Sequence, residues 1–269
     1  MREHKHAAAV IVILGLGIAL WPAPAQAMHL AEGILPISWA GLWLLVAVPF
    51  VLWGLRTINR RRAADPRYMA LVALVGSAIF VISCMPVPIP WVGTCSHPCG
   101  TGLGALLIGP GPTIVVSSVA LLLQALLLAH GGLTTLGADV VSMGVAGALS
   151  ATAAFWLLRK CRFSVFAATL VAGIVSDWAT YATTALQLAS ALHGDGSFLT
   201  MLLMVMAAFV PTQLPLGIAE GILTAMAYRF VFQRRPELLG VPLATPRPAI
   251  ASVEIQWANV NEVSLGERA

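Results

Sequence analysis

Apolar runs long enough to cross a lipid bilayer recur along most of this 269-residue chain. Between positions 68 and 158 there is no lysine or arginine at all. Across the chain 59% of residues are hydrophobic and only 10% are charged, whereas soluble domains carry about 25% charged residues. A soluble core could not hide so much apolar surface, so the pattern predicts an all-α polytopic membrane helix bundle.

Residues 1–27 have the pattern of a secretory signal peptide. A basic start with Arg2 and Lys5 precedes an apolar stretch at 7–20, and residues 25–27 (AQA) form the small-x-small pattern of a cleavage site. Cleavage there would make Met28 the first residue of the mature chain. The alternative is an uncleaved first transmembrane helix, although about 14 apolar residues are short for a crossing.

Seven membrane segments are predicted after the signal, at residues 34–55, 67–85, 100–109, 111–129, 138–158, 164–191 and 198–231. The third is too short to span about 30 Å of hydrocarbon upright, so a tilted or half-inserted piece is expected. It ends at residues 109–112, where two glycines and two prolines forbid a continuous helix. Pro211 and Pro215 predict a kink in the last segment or its division in two.

Three basic clusters give the orientation of the bundle. They are Arg56, Arg60, Arg61, Arg62 and Arg67; Arg159, Lys160 and Arg162; and Arg229, Arg234 and Arg235. Seven crossings that start from a periplasmic mature N-terminus put all three clusters in the cytoplasm of an inner-membrane protein. The net charge of +4 is therefore a topology signal and does not indicate a nucleic-acid partner. The predicted organisation is a membrane domain at 28–235 and a polar cytoplasmic tail, mostly disordered, at 236–269.

A mature chain that begins Met-His is a chelating agent. The amine of Met28, the deprotonated amide of His29 and the His29 ring Nδ1 close a five-membered and a six-membered ring around one metal. Planar nitrogen sets suit Ni²⁺ and Cu²⁺ and are accessible to low-spin Co²⁺, whereas Mg²⁺ and Ca²⁺ prefer oxygen ligands. One planar position stays open, and a second imidazole on the same membrane face would fill it.

The predicted topology places three further histidines at the outer face, namely His97, His130 and His193. His97 is the favoured fourth ligand, because its loop leads into the short third segment and irregular backbone at membrane depth usually lines a cavity. His130 lies in a glycine-rich turn that could close over the site or serve only as a connector. His193 lies in a polar loop and is expected to be an ordinary interfacial group.

Cys95 and Cys99 flank His97 and leave three interpretations open. The run C-x-H-x-C could be a thiolate zinc site, the pair could form a disulfide in an oxidising compartment, or both could be small loop residues. A membrane zinc enzyme built on this run is the alternative function of a different class. A structural membrane subunit without a metal is a third possibility.

Three acidic residues fall in or beside apolar segments. Asp139 begins the fifth segment, where it could cap the helix. Asp177 and Glu220 lie inside segments, where a carboxylate is expensive and is therefore a functional candidate. The sequence contains no Walker A, zincin or nucleophile-elbow motif, so ATP hydrolysis and these enzyme classes are not expected of this chain.

Several long motifs resemble the CbiM/NikM family, the substrate-specific membrane components of energy-coupling-factor cobalt and nickel importers. They are MHLAEGILP at 28–36, CSHP at 95–98, GTGLG at 100–104, LQALLLAHGGLTTLGA at 123–138 and AEGILT at 219–224. The resemblance covers roughly residues 28–235 and is strongest to the cobalt branch. Cys99 stands where the family usually has threonine, and Asp139 where it usually has asparagine.

This resemblance implies a function and a ligand set. The function is capture of Co²⁺ for cobalamin biosynthesis, with Ni²⁺ as the alternative ion, by a transporter component that has no cofactor of its own. The implied metal ligands are Met28, His29 and His97, with Ser96, His130 and Asp139 as possible supporting or loop residues. The implied partners are a small accessory membrane subunit, a transmembrane coupling subunit and a cytoplasmic ATPase, all in the lipid bilayer or at its surface.

Overall fold

The computed structural model describes residues 30–85, 87–89 and 94–239. Seven helices follow one another in this part of the chain: α1 (Ile37–Ala64), α2 (Tyr68–Ser83), α3 (Thr101–Ile108), α4 (Pro110–Leu127), α5 (Leu136–Lys160), α6 (Val165–Leu192) and α7 (Phe198–Arg234). Five of them, α1 and α4 to α7, are long and apolar enough to cross a membrane, and α2 is a shorter apolar helix. The prediction of a helical membrane bundle is confirmed. The proposed signal peptide and most of the C-terminal tail lie outside the described residues.

A short β-hairpin and a 3₁₀ turn were not predicted. Strands β1 (Val87–Ile89) and β2 (Thr94–Ser96) form an antiparallel hairpin between α2 and α3, with Val87 opposite Ser96. A short 3₁₀ turn, Pro236–Leu239, follows α7. Both are small additions to an otherwise helical architecture.

The helices run alternately between two ends of the bundle. At one end, Arg61 Nη1 and the Tyr68 hydroxyl both donate to the Ile108 carbonyl, at 2.8 and 2.9 Å, which joins the end of α1, the start of α2 and the end of α3. At the other end, Gln124 Nε2 donates to Ser83 Oγ at 2.8 Å and joins the ends of α4 and α2. We call these the basic end and the Leu30 end, after the arginine-rich turns and the residue that begins the described chain.

The third predicted segment crosses the bundle only in part as a helix. All eight residues of α3 are buried, and eight residues rise about 12 Å, less than half of a hydrocarbon core. The helix starts beside Ile79 of α2, because a Cβ on Gly100 would lie 3.4 Å from the Ile79 Cα, and it ends at the basic end. The non-helical residues 97–100 complete the crossing from the Leu30 end.

Small residues let α6 and α7 approach closely. A Cβ on Gly173 would lie 2.8 Å from the Cα of Gly221 on the facing helix. Ser164 and Ser197 accept backbone hydrogen bonds at the starts of these two helices, as N-cap residues do. Close packing of small residues is the usual way in which membrane helices associate.

Of the two alternatives for the last segment, a kink or a division in two, the division is wrong, and the kink stays a prediction. α7 is one continuous helix of 37 residues that includes Pro211 and Pro215. Between the two prolines, the Trp178 indole of α6 donates to the Gln213 carbonyl at 3.0 Å. This hydrogen bond ties α7 to α6 in the region of the two prolines.

Candidate metal site

The start of the described chain is fixed to the first turns of α5. The Leu30 amide donates to Asp139 Oδ1 at 3.1 Å, and the Leu30 carbonyl accepts from Thr135 Oγ1 at 2.7 Å. Leu30 and Asp139 are both buried, and 109 positions separate them in the sequence. Both polar groups of the Leu30 backbone are therefore held at the Leu30 end of the bundle.

The following residues are clasped by the loop before α5. The Gly33 amide donates to Thr134 Oγ1, and the Thr134 amide donates to the Glu32 carboxylate, each at 3.3 Å. The hydrogen bond from the Thr134 side chain lowers the pKa of Glu32. Gly132 makes the approach possible, since a Cβ there would lie 2.7 Å from the Glu32 Cα.

His97 is buried in the non-helical stretch that precedes α3. The Tyr181 hydroxyl accepts from the His97 amide at 2.8 Å and donates to the His97 carbonyl at 3.1 Å. One phenol thus satisfies both backbone polar groups of a residue that has left regular structure inside the bundle. The two rings also meet edge to face, with centroids 6.0 Å apart.

The contact of the His97 ring with Pro98 bears on its use as a ligand. His97 Nδ1 lies 3.0 Å from the Pro98 carbonyl. In the tautomer whose Nδ1 donates to that carbonyl, Nε2 carries the lone pair that a metal needs. A carbonyl partner on the other ring nitrogen is the arrangement in which metal-binding histidines are usually held.

His130 lies close enough to His97 for their charges to interact. Burial and, to a smaller extent, the charge of the His97 imidazole lower the pKa of His130 to about 3. The His130 amide donates to the Gln124 carbonyl at 3.2 Å, in a turn where Ala129 has a φ of 48°. His97 and His130 are 33 positions apart in the sequence, so only the tertiary fold couples their charges.

The remaining residues predicted from the sequence fall in different places. Met28 and His29 lie outside the described residues. Ser96 is buried and packs on α7, where its hydroxyl meets Thr212 Oγ1 at 2.6 Å and Gln213 Nε2 at 2.7 Å. His193 is exposed, as expected.

The interpretation of Asp139 as a helix cap is wrong. It lies in the first turn of α5, the N-cap position is Thr135, and the Asp139 carboxylate accepts from Leu30. Its Oδ1 satisfies the Leu30 amide, a buried donor of the incoming chain that needs an acceptor.

Cys99 is a free, buried thiol rather than half of a disulfide. Its side chain lies with those of Asp177 and Glu220 in the interior of the bundle, so that one sulfur or oxygen atom of each lies within 4.8 Å of the others. Sequence reasoning singled out all three residues but gave no sign that they meet. It missed Tyr181 and Thr135 entirely, because their roles depend on contacts 84 and 105 positions away.

Comparison with known proteins decides the family. Residues 29–238 match the family model CbiM, the cobalt uptake substrate-specific transmembrane region. The chain belongs to the CbiM family. The cobalt transport protein CbiM of Sorangium cellulosum is 57% identical over 212 residues, 79% of this chain and 94% of the relative. That of Geobacter sulfurreducens is 50% identical over 242 residues, 87% of this chain and 70% of the relative.

Solved structures support the same fold. The crystal structure of a truncated transition metal transporter matches with a TM-score of 0.68 at 23% identity, covering 77% of this chain and 99% of that one. The CbiM relatives are transport proteins, so this chain is a transporter component rather than an enzyme. The membrane zinc enzyme considered from the sequence is thereby set aside.

Proposed function

We propose that this chain is the substrate-capture membrane component of an energy-coupling-factor importer for Co²⁺, which supplies cobalamin biosynthesis. The cargo ion is proposed to bind the Met28 amine, the His29 amide and ring, and the His97 ring, after removal of residues 1–27. The cobalt transport function of the CbiM relatives supports the choice of ion. Ni²⁺ is the alternative cargo, because the same planar nitrogen set suits it.

One observation carries the proposed site: the hydrogen bond from the Leu30 amide to Asp139. His29 immediately precedes this anchored residue in the sequence, which supports its proposal as a ligand. His97 and His130 are both buried, and the charge of His97 affects the pKa of His130, which supports an imidazole-rich environment for the proposed site. The proposed donor atoms are all nitrogen, which disfavours Mg²⁺ and Ca²⁺ because these ions prefer oxygen ligands.

The proposed location is the bacterial inner membrane, with the mature N-terminus in the periplasm and the C-terminus in the cytoplasm. The alternation of the seven described helices supports this orientation, since it gathers the three arginine-rich clusters at the basic end. An accessory membrane subunit, a transmembrane coupling subunit and a cytoplasmic ATPase are the proposed partners. Apolar side chains exposed along α1 and α7 offer surface for lipid and for partner helices.

The test is N-terminal sequencing of the purified protein together with its cobalt content and cobalt affinity. We expect a chain that begins at Met28 and binds Co²⁺, and we expect His97→Ala to abolish tight binding at the outer site while the protein still inserts. His193→Ala is the matched control, because that imidazole is exposed at the same end and should leave the affinity unchanged.

A second variant tests the chelate directly. Three alanines inserted between the cleavage site and Met28 place the free amine beyond reach of the chelate rings at His29, without changing any side chain. A single inserted residue would not serve, because an amine, two amides and a histidine ring at the third position form a new planar four-nitrogen set. We expect cobalt uptake by cells to fall to the level of the His29→Ala variant. Normal uptake by the insertion variant, with cleavage verified by sequencing, would contradict the proposed coordination.

A further inference from the structure

Three side chains with metal-binding atoms meet in the interior of the bundle, apart from the outer histidines. They are Cys99, in the loop before α3, Asp177, near the middle of α6, and Glu220 of α7. Cys99 and Asp177 are fully buried and Glu220 is 2% exposed. One potential ligand atom from each lies within 4.8 Å of the other two.

In the described part of the chain, no lysine or arginine side chain balances the charge of this cluster. Within the described part of the chain, neither Asp177 nor Glu220 forms an ion pair with a lysine or arginine; the hydrogen bonds of both are with the cluster itself and the α3 start. Two carboxyls in contact in a low-dielectric interior either share a proton or hold a cation, because both cannot stay ionised and unpaired.

Glu220 has an evident structural role in addition. Its two carboxylate oxygens accept from the amides of Cys99 and Gly100, at 2.6 and 2.9 Å, where α3 begins. These amides would otherwise be unsatisfied at the buried start of a helix. Each oxygen keeps a second lone pair, so this role leaves Glu220 able to bind an ion.

No comparable structural role explains why the Asp177 carboxyl group is buried. Its Oδ1 accepts from the Cys99 thiol at 3.8 Å, but its Oδ2 is buried and has no hydrogen-bond partner. That oxygen faces α7 at Gly217, where a Cβ would lie 3.0 Å from it. Burial of a carboxyl oxygen without a partner is costly, and the cost points to a ligand that the oxygen serves.

We propose that Cys99, Asp177 and Glu220 form a second site, inside the bundle, for a divalent transition-metal ion. A thiolate with two carboxylates suits Co²⁺, Zn²⁺ or Cd²⁺ and disfavours Mg²⁺ and Ca²⁺, which avoid sulfur. Ligands about 2.0–2.3 Å from a tetrahedral ion lie about 3.3–3.8 Å from one another. Cys99 Sγ and Asp177 Oδ1 already lie 3.8 Å apart. Binding releases two protons to solvent as the metal–ligand bonds form, one from the thiol and one that the two carboxyls share in the absence of the ion.

The position of the cluster suggests its use. Cys99 follows His97 by two residues in the same non-helical stretch, so the inner site lies directly beyond the proposed outer ligand. An ion released by the outer site would meet the inner site next on a path towards the basic end. This transport role rests on the proposed function, whereas metal binding by the cluster does not.

The test uses purified protein in detergent with Co²⁺ alone as the probe. In a background with Cys84→Ser, Cys95→Ser and Cys161→Ser, Cys99 is the single remaining thiol of the four in the sequence. We expect two Co²⁺ per chain and a near-ultraviolet thiolate-to-cobalt charge-transfer absorption. Adding Cys99→Ser should remove the absorption and leave one Co²⁺, with the unsubstituted background as the matched control.

Two further variants separate the sites. His97→Ala in the same background should keep one Co²⁺ and the full charge-transfer absorption. Asp177→Asn, which preserves shape, should weaken the inner site by more than the roughly 10–100-fold that loss of a supporting contact costs. The Asp177→Asn variant also tests the inner site if the Cys99→Ser protein fails to fold.

The outcomes distinguish the two proposals. If the folded background protein binds one Co²⁺ and shows no charge-transfer absorption, the inner site is overturned and the proposed function still stands. This is the result expected if Asp177 and Glu220 share a proton and bind no metal. Two Co²⁺ per chain whose binding is insensitive to His97→Ala and to His29→Ala would overturn the outer site instead. Retention of both ions by Cys99→Ser, Asp177→Asn and Glu220→Gln alike would also overturn the inner site.

Discussion

Asp139 has a positioning role at the Leu30 end. Its Oδ1 accepts from the amide of Leu30, the residue that follows His29, at 3.1 Å. An asparagine would supply the same oxygen acceptor. Either residue could therefore hold the incoming chain against the start of α5.

Replacing Asp139 tests the positioning role. Asp139→Ala leaves the buried Leu30 amide without its acceptor, which costs about 1–3 kcal/mol and loosens the segment that carries the proposed chelate. We expect cobalt affinity, measured by titration calorimetry, to fall about 10–100-fold, as for loss of other groups that orient metal ligands.

Two comparisons complete this test. Asp139→Asn keeps an oxygen acceptor and should retain more affinity than Asp139→Ala. Asp195→Ala removes an exposed carboxylate from the other loop at this end and should change nothing. Equal affinity for Asp139→Ala and the parent protein would show that the Leu30 anchor has no part in metal binding.

At the scale of elements, the segment from β2 to α3 is the least regular part of the interior. A backbone without helical hydrogen bonds is tolerated there because other elements complete its bonding: Tyr181 serves His97, and Glu220 serves Cys99 and Gly100. Gly100, with a φ of 70°, turns the chain into α3 in a conformation that favours glycine.

The clasp between the chain start and the loop before α5 gives a prediction at this scale. Gly132→Ala would place a Cβ 2.7 Å from the Glu32 Cα and force the two segments apart, at a cost of about 1–3 kcal/mol. We expect lower cobalt affinity in the folded, inserted protein. Gly41→Ala is the control, because a Cβ there meets nothing within 4 Å. A loss of affinity of equal size in both variants would argue against the clasp.

The hydrophobic pattern of the sequence predicted the positions of the helices well. It could not predict contacts between residues that are far apart in the sequence. The predicted segment at 100–109 corresponds to α3 at Thr101–Ile108, since glycines and prolines mark its ends. The first helix extends to Ala64, nine residues past its predicted end, because arginine side chains continue a helix outside the hydrocarbon. Only the tertiary fold creates the contact of Leu30 with Asp139 and the cluster of Cys99, Asp177 and Glu220.

At the scale of the whole molecule, the irregular third crossing determines whether the number of membrane crossings is odd or even. Residues 97–100 and α3 together carry the chain from the Leu30 end to the basic end, although α3 alone covers about 12 Å. Without this crossing, the basic cluster after α1 and the two later clusters would lie on opposite sides of the membrane. The orientation therefore depends on a crossing that is too short to be recognised as a membrane helix.

Cysteine labelling tests this orientation across α6. Cys161 is exposed at the basic end, and Asp195, at the opposite end of α6, is also exposed. In a background with Cys84→Ser and Cys95→Ser, an impermeant maleimide should modify Cys161 in inverted membrane vesicles and leave it unmodified in right-side-out vesicles. The buried Cys99 should stay unmodified in both.

With Cys161→Ser added, Asp195→Cys should show the reverse pattern, with modification in right-side-out vesicles and none in inverted vesicles. Modification of Cys161 from the periplasmic side would invert the bundle and place the proposed metal site in the cytoplasm, where an importer could not use it for capture.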